Sequence, residues 1–194
     1  PTHYTPSIAA ALGELRDSRA LTIPVVYNTS SFDSLEALGL MRGKVDVYLA
    51  DFKYASALEA GKLSHAPRYP EIALAAIEEM VAQVPVWEED DEGLLLKGVI
   101  VRHLVLPGRV EESKRALATL HDRFGSGVRL SIMSQYTPLA SGLERYGLAG
   151  RVTEEEYEEV LDYADSLGVE DYFWQQGDAA QESFVPEFNG EGVR

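Results

Sequence analysis

Four stretches of aliphatic and β-branched residues, each about as long as a β-strand, alternate along the chain with segments of helical pattern. The stretches are apolar on both faces, which predicts strands that are buried on two sides. Such strands occur in parallel sheets covered by helices, and their alternation with helices indicates the α/β class. A barrel and an open sheet both satisfy this pattern. The predicted strands are LTIPVVYN (21–28), VDVYLADFKY (45–54), LLLKGVIVRHLVLPG (94–108) and VRLSIMSQYTP (128–138).

Helices are predicted before, between and after these strands. The segment 69–84 has the clearest pattern, because Pro70 suits a first helical turn and an apolar stripe follows it. The segment 153–168 begins at Thr153 with Glu156 three residues later, which is the pattern of a capping box. The other predicted helices cover 6–19, 31–41 and 110–125.

No linker divides the chain, so we expect one domain over residues 1–194. A short last strand is predicted over 169–176 with Trp174 in the core, followed by a polar surface tail at about 177–194. The acidic run from Glu88 to Glu92 is expected to be a solvated loop rather than a calcium site.

The chain of 194 residues carries a formal net charge of −15 and has no cysteine. The acidic balance argues against nucleic acid and anionic membranes as partners, because basic patches supply the affinity for both. No apolar run is long enough to span a bilayer. Disulfides, thiol catalysis and cysteine-bound metal are excluded within the chain, and its histidines lack ligand spacing, so no metal site is expected. We expect a cytoplasmic protein.

Polar and charged residues accompany the carboxyl end of each predicted strand, where ligands bind in α/β folds. No glycine-rich nucleotide-binding motif accompanies them. These candidate binding residues are Asn28, Thr29 and Ser30 after the first strand, Asp51 and Lys53 in the second, Arg102 in the third, and Gln135 and Tyr136 in the fourth.

Arg102 interrupts an apolar strand, and a buried guanidinium must be paired. One interpretation is a structural ion pair with Asp51 on a neighbouring strand. The other is a polar pocket in which Arg102, Asp51 and Lys53, with the residues after the first strand, bind a zwitterionic small molecule. Side chains alternate along a strand, so His103 is expected to face the helices.

Four segments, in the order VVYNTSSFDSLEAL, VDVYLADFKY, VIVRHLVLPG and LSIMSQYTP, resemble the later half of radical S-adenosylmethionine (radical SAM) proteins. The group they most resemble is the uncharacterised proteins related to pyruvate formate-lyase activating enzyme, and the similarity runs over essentially the whole chain. ADFKY followed, one predicted strand later, by RHLVLPG is the most specific part.

The resemblance implies a partial β/α barrel in which a 4Fe–4S cluster and S-adenosylmethionine generate a 5′-deoxyadenosyl radical for hydrogen abstraction. In the activating enzymes the hydrogen comes from a glycine of a partner protein. By position, the resemblance assigns cofactor contacts to Asn28 and Thr29 at the ribose, Asp51 and Lys53 beside the cofactor, Arg102 over it, and Gln135 or Tyr136 near the adenosine or substrate.

The family holds its cluster on a CxxxCxxC motif, which this chain lacks, as it lacks the early Gly-Gly-Glu segment. We therefore expect the C-terminal portion of a radical SAM barrel, truncated at its N-terminal strands and inactive by itself. The alternative is a natural relative that has no cysteines and is inactive. A truncated barrel exposes a strand edge, so we expect either self-association or a rearranged N-terminal segment that covers the edge. Two further classes stay open: a cofactor-free barrel aldolase or lyase that uses Lys53 as a Schiff-base amine, and a non-catalytic interaction domain.

Overall fold

A computed structural model of the chain describes residues 4–138, 141–169 and 171–174. The helices are α1 (Thr5–Asp17), α2 (Leu35–Met41), α3 (Ala57–Ser64), α4 (Tyr69–Gln83), α5 (Val110–Phe124) and α6 (Glu154–Ser166). The strands are β1 (Val26–Thr29), β2 (Val47–Asp51), β3 (Glu88–Glu89), β4 (Leu95–Leu104), β5 (Arg129–Met133) and β6 (Tyr172–Trp174). Within these residues, no helix combines the length and the apolar character that crossing a membrane requires.

Five strands form a parallel sheet in the order β1-β2-β4-β5-β6, and β3 pairs antiparallel with β4. Each parallel strand therefore lies beside the next parallel strand in the chain. Crossovers between parallel strands are right-handed, so a series that advances in one direction places its helices on one face of the sheet. This is the winding of a barrel rather than of a doubly wound sheet, and the α/β class is confirmed.

The burial of the strand residues follows this winding. The face under the helices is closed, with its side chains almost or fully buried at Tyr48, Ala50, Val99, Val101, Leu130 and Ile132. The opposite face, called the open face below, is half-buried at Leu49, Ile100, Leu104 and Met133, and Val26 is exposed. The prediction that the strands are buried on two sides therefore holds for the closed face and is wrong for most of the described open face.

The core lies between the closed face and the helices. Helix α4 contacts β2 and β4, and its stripe at Ala73, Ala76, Ile77 and Met80 is fully buried. Full burial of each large side chain in such a stripe contributes about 1.5–3 kcal/mol. At the start of α6, Glu156 N–H donates to Thr153 Oγ1 (3.2 Å) and Thr153 N–H donates to Glu156 Oε2 (3.0 Å). The predicted capping box is confirmed.

Several predicted boundaries differ from the structure. The first strand begins only at Val26, because Pro24 has no N–H to contribute to a ladder. Helix α3 was not predicted, although Ser56 accepts a hydrogen bond from Glu59 N–H as its cap.

Two expectations about acidic and aromatic segments also change. Glu88 and Glu89 form β3 instead of a free loop, and the turn follows from Asp90. Trp174 is 53% exposed rather than in the core, since β6 ends the sheet within the described residues. The predicted tail at 177–194 lies outside the described residues.

Candidate functional site

Four of the predicted site residues meet on the open face at the carboxyl end of the sheet. Arg102 donates from Nε to Asp51 Oδ1 (2.8 Å) and from Nη2 to Asn28 Oδ1 (2.7 Å). Lys53 Nζ donates to the other carboxylate oxygen, Asp51 Oδ2, at 2.6 Å. The ion pair of Arg102 with Asp51, which one of the two interpretations requires, is present and is part of a larger group. Asn28, Asp51, Lys53 and Arg102 are called the Asp51 cluster below.

The strand register explains why these residues meet. Asp51 of β2 and Arg102 of β4 are direct partners across the parallel ladder, and Ser131 of β5 is the next partner of Arg102. Partners in register point to the same face, so they form one row across three strands. Sequence reasoning missed Ser131, because it looked for polar residues only at the carboxyl end of the predicted fourth strand.

The charges of the cluster do not cancel. Two cations, Arg102 and Lys53, face the single carboxylate of Asp51, which leaves one positive charge in surplus within a chain of net charge −15. The side chains are 24% exposed at Arg102, 14% at Asp51 and 44% at Lys53. The cluster is thus partly desolvated and still accessible, which suits capture of a small anionic group by local field.

His103 lies behind the cluster on the closed face, as predicted. Its Nδ1 is 2.8 Å from Phe52 O and its Nε2 is 3.0 Å from Ser113 Oγ. Burial lowers the pKa of His103, so the imidazole is neutral, with Nδ1–H donating to the carbonyl and Nε2 accepting from the hydroxyl. The histidine thereby fixes the peptide that joins Phe52 to Lys53, next to Asp51.

Glu112, in the first turn of α5, fixes the chain that follows the cluster. Its Oε1 accepts from Ala55 N–H (2.8 Å) and Ser56 N–H (2.7 Å), and Arg115 pairs with its Oε2 (2.8 Å). Burial raises the pKa of this carboxyl, but the hydrogen bonds from Arg115, Ser56 and Ala55 outweigh burial and the pKa is lowered. Sequence reasoning missed this role, since a glutamate in a first turn is also an ordinary helix residue.

The other predicted site residues have contacts with groups outside the Asp51 cluster. Thr29 is buried on the closed face and bonds to Asp33, and Ser30 accepts a contact through its backbone carbonyl. Gln135 Nε2 lies 3.7 Å from Met133 Sδ, and the Tyr136 hydroxyl donates to Leu148 O (2.8 Å). Their assignments to cofactor contacts remain predictions.

The site offers little for metal binding or amine catalysis. Among the described residues, no group of three or more histidine, aspartate or glutamate side chains is arranged to hold a metal ion. Lys53 Nζ is engaged by Asp51 on a half-exposed side chain, whereas Schiff-base lysines work in desolvated pockets. The geometry therefore does not favour the aldolase alternative.

A cavity of about 410 Å³ lies at the opposite end of the sheet, away from the Asp51 cluster. Arg129, at the start of β5, lines it and stacks on Trp87 with 4.2 Å from the guanidinium carbon to the ring centroid. The same guanidinium pairs with Asp171 at 3.2 Å. The Arg129 guanidinium in this cavity thus already has partners within the protein. We therefore place the candidate site at the Asp51 cluster.

Comparison with known proteins gives two matches of note. No family model matches the chain. An uncharacterized protein of Methanocaldococcus jannaschii is 28% identical over 170 residues, which is 88% of this chain and 45% of that protein. A radical SAM methyltransferase from Sphaerobacter thermophilus, known from its crystal structure, matches with a TM-score of 0.52 and 14% identity, over 78% of this chain and 40% of that one. The chain spans less than half the length of either protein.

The structural match establishes the fold. The α/β arrangement, with a parallel sheet and helices, matches part of a radical SAM-type barrel. The fold that the sequence resemblance implies is confirmed at this level.

Proposed function

We propose that this chain forms the cofactor-facing part of a radical SAM enzyme and that the Asp51 cluster binds the amino-acid end of S-adenosylmethionine. One observation carries the proposal. A cluster with a surplus positive charge and exposed hydrogen-bonding groups lies at the carboxyl ends of adjacent strands, where such folds bind their ligands. The match to a radical SAM fold supports the choice of ligand class.

The donors and acceptors of the cluster fit this ligand. Arg102 and Lys53 present the cations that a carboxylate needs, and Arg102 adds a planar donor edge. Asp51 and Asn28 present oxygen acceptors for an ammonium group. Entry of a zwitterion exchanges contacts within the cluster for contacts with the ligand, so that the ligand carboxylate meets the two cations and the ligand ammonium meets oxygen acceptors.

The iron–sulfur cluster of this enzyme class does not fit the residues of the chain. Such clusters are held by cysteine thiolates, and the chain has none. We therefore assign no chemical step to a cluster here. In the proposal its ligands come from outside these 194 residues, and the chain alone binds S-adenosylmethionine without cleaving it.

The roles of the chain's own residues follow from their positions. When bound, S-adenosylmethionine supplies a sulfonium whose carbon–sulfur bonds can be broken. Arg102 and Lys53 hold the carboxylate end, Asp51 holds both cations in place, and Asn28 fixes the guanidinium from β1. Hydrogen abstraction from a glycine of a partner protein is a finer proposal, which rests on the sequence resemblance to the activating enzymes alone.

The test is isothermal titration of the purified chain with S-adenosylmethionine and with 5′-methylthioadenosine, which lacks the amino-acid end. In the proposal the chain supplies only part of the binding site, so binding is weak. We expect a dissociation constant on the order of 0.1–1 mM for S-adenosylmethionine and at least about tenfold weaker binding of 5′-methylthioadenosine. Arg102→Gln should weaken binding of S-adenosylmethionine about tenfold.

A matched control is available at the other end of the sheet. Arg16 pairs with Asp46, and the exposure of these side chains, 30% and 18%, is close to that of Arg102 and Asp51. Arg16→Gln should leave the affinity unchanged. Equal affinity of the Arg102→Gln and Arg16→Gln variants would refute the proposal. So would the absence of binding to the wild-type chain at S-adenosylmethionine concentrations several times the expected dissociation constant.

A further inference from the structure

A single buried hydroxyl contacts the backbone of two strand ends beneath the Asp51 cluster. Tyr69 Oη lies 2.9 Å from Asp51 O and 3.0 Å from Ser30 O, and it accepts a hydrogen bond from Lys53 N–H at 3.0 Å. A tyrosine hydroxyl has one proton, so the carbonyls of Asp51 and Ser30 share a single donor, while the hydroxyl oxygen accepts from Lys53 N–H. Burial raises the pKa of Tyr69, and the hydroxyl therefore keeps its proton.

The position of these contacts matters more than their number. The last partners in the β1–β2 ladder are Thr29 and Ala50, so the following carbonyls of Ser30 and Asp51 lie beyond the ladder. Buried carbonyls and amides need partners. Tyr69 supplies the partner at the point where the two strands separate, and it thereby takes the place of the next rung.

Neighbouring aromatic rings hold the ring of Tyr69 in place. Tyr69 is 4% exposed and is the first residue of α4. Its ring stacks near Phe32 and Phe52, with centroids 6.0 and 6.5 Å away, and meets Tyr54 edge-on at 5.7 Å. Such aromatic contacts add to the burial of the ring and restrict its orientation. The hydroxyl is therefore presented from a rigid base.

We infer that Tyr69 is a positioning residue for the proposed cofactor site. It reaches no side chain of the Asp51 cluster, but it binds the backbone of Asp51 and Lys53 directly and that of Ser30, two residues after Asn28. By tying β1 to β2 it sets the distance between Asn28 and Asp51, which Arg102 spans. The expected effect of Tyr69 on ligand affinity rests on the proposed function. The effect of Tyr69 on the arrangement of the Asp51 cluster rests on the geometry alone.

The experiment compares Tyr69→Phe with a matched control, Tyr48→Phe. Tyr48 is fully buried on β2, and its hydroxyl donates to Gln83 Oε1 at 2.7 Å, in the last turn of α4 and away from the cluster. Each substitution removes one buried hydroxyl and keeps the ring. Three quantities are measured in the full chain: the melting temperature, the affinity for S-adenosylmethionine, and the NMR signal of the Arg102 Nε–H, which donates to Asp51.

If Tyr69 positions the site, the two variants should differ in site geometry and affinity but not in stability. Both variants should lose stability to a similar extent. Only Tyr69→Phe should shift or broaden the Arg102 Nε–H signal and weaken binding, by between about threefold and tenfold, the value of one or two lost hydrogen bonds. Tyr69→p-aminophenylalanine, which keeps a donor at the same place, should recover the signal and most of the affinity. This variant also carries the test if Tyr69→Phe does not fold.

An unchanged Arg102 signal together with wild-type affinity in Tyr69→Phe would overturn the inference, as would equal effects of the two phenylalanine variants. Failure of the proposed function gives a different result. In that case the wild-type chain binds no S-adenosylmethionine, and the Arg102 signal in the free protein decides the positioning role by itself.

Discussion

Replacement of Asp51 by asparagine isolates the charge on which the candidate site depends. The amide has the shape of the carboxylate, so the change removes one negative charge without opening a cavity. Arg102 and Lys53 then lose their shared partner, and one N–H of the new amide faces a cation.

The size of the effect follows from exposure. Two unit charges 4 Å apart attract by about 4 kcal/mol at an effective dielectric constant near 20, before desolvation is subtracted. Removing one partner costs about 3–5 kcal/mol for buried pairs, and exposed pairs contribute about 0–1 kcal/mol. Arg102 and Asp51, at 24% and 14% exposure, lie nearer the buried limit, and Lys53 at 44% lies nearer the exposed limit. We expect Asp51→Asn to lower the free energy of unfolding by about 2–3 kcal/mol.

Urea unfolding of Asp51→Asn, Arg102→Met and the double variant gives the coupling energy between the two side chains. We expect a coupling of about 1.5–2 kcal/mol and a fall in melting temperature of roughly 5–10 °C for Asp51→Asn. A loss of stability below about 0.5 kcal/mol, or a coupling near zero, would refute the view that this carboxylate organises the cluster.

Three further predictions concern other parts of the molecule. Burial lowers the pKa of His103 below its unfolded value of about 6.5. As the pH falls below about 6.5, the histidine is therefore protonated first in the unfolded state. The free energy of unfolding should decrease there by at most about 1.4 kcal/mol per pH unit. Urea titrations at several pH values should show this slope, and His103→Gln should remove that part of it. Ser31 has φ +61° and is fully buried, and its hydroxyl has no hydrogen-bond partner among the described residues. Ser31→Gly should therefore stabilise the fold by about 1 kcal/mol, and a thermal melt showing a loss of stability would contradict this. Val26 is 55% exposed on β1, which is an edge strand within the described residues. A charged residue on an edge strand opposes pairing with another chain, so Val26→Lys should reduce the concentration-dependent self-association measured by light scattering. Unchanged association would count against pairing at this edge.

Local patterns in the sequence predict much of the fold. Pro70 with its apolar stripe and the Thr153–Glu156 capping box each act within a few residues, and the structure places helices where they predict them. The pairing of Arg102 with Asp51 was also predictable, because an arginine in an apolar strand requires a partner and strand ends limit the choices.

Other features depend on contacts that the sequence pattern does not encode. The interior face of a barrel and a face buried under helices are both apolar, so the pattern of β4 cannot tell that one face is open. Ser131 lies beside Arg102 because of the register between β4 and β5, and register is a property of the paired strands. The role of Tyr69 depends on where two strand ends separate, and its sequence position shows only the start of a helix.

The most direct test of the central claim is an NMR titration of the isotope-labelled chain with S-adenosylmethionine. The account predicts shifts at the Arg102 Nε–H and at the amides of Asn28, Asp51 and Lys53, all at the carboxyl end of the sheet. Absence of any shift, or shifts confined to the cavity beside Trp87 at the opposite end, would contradict it.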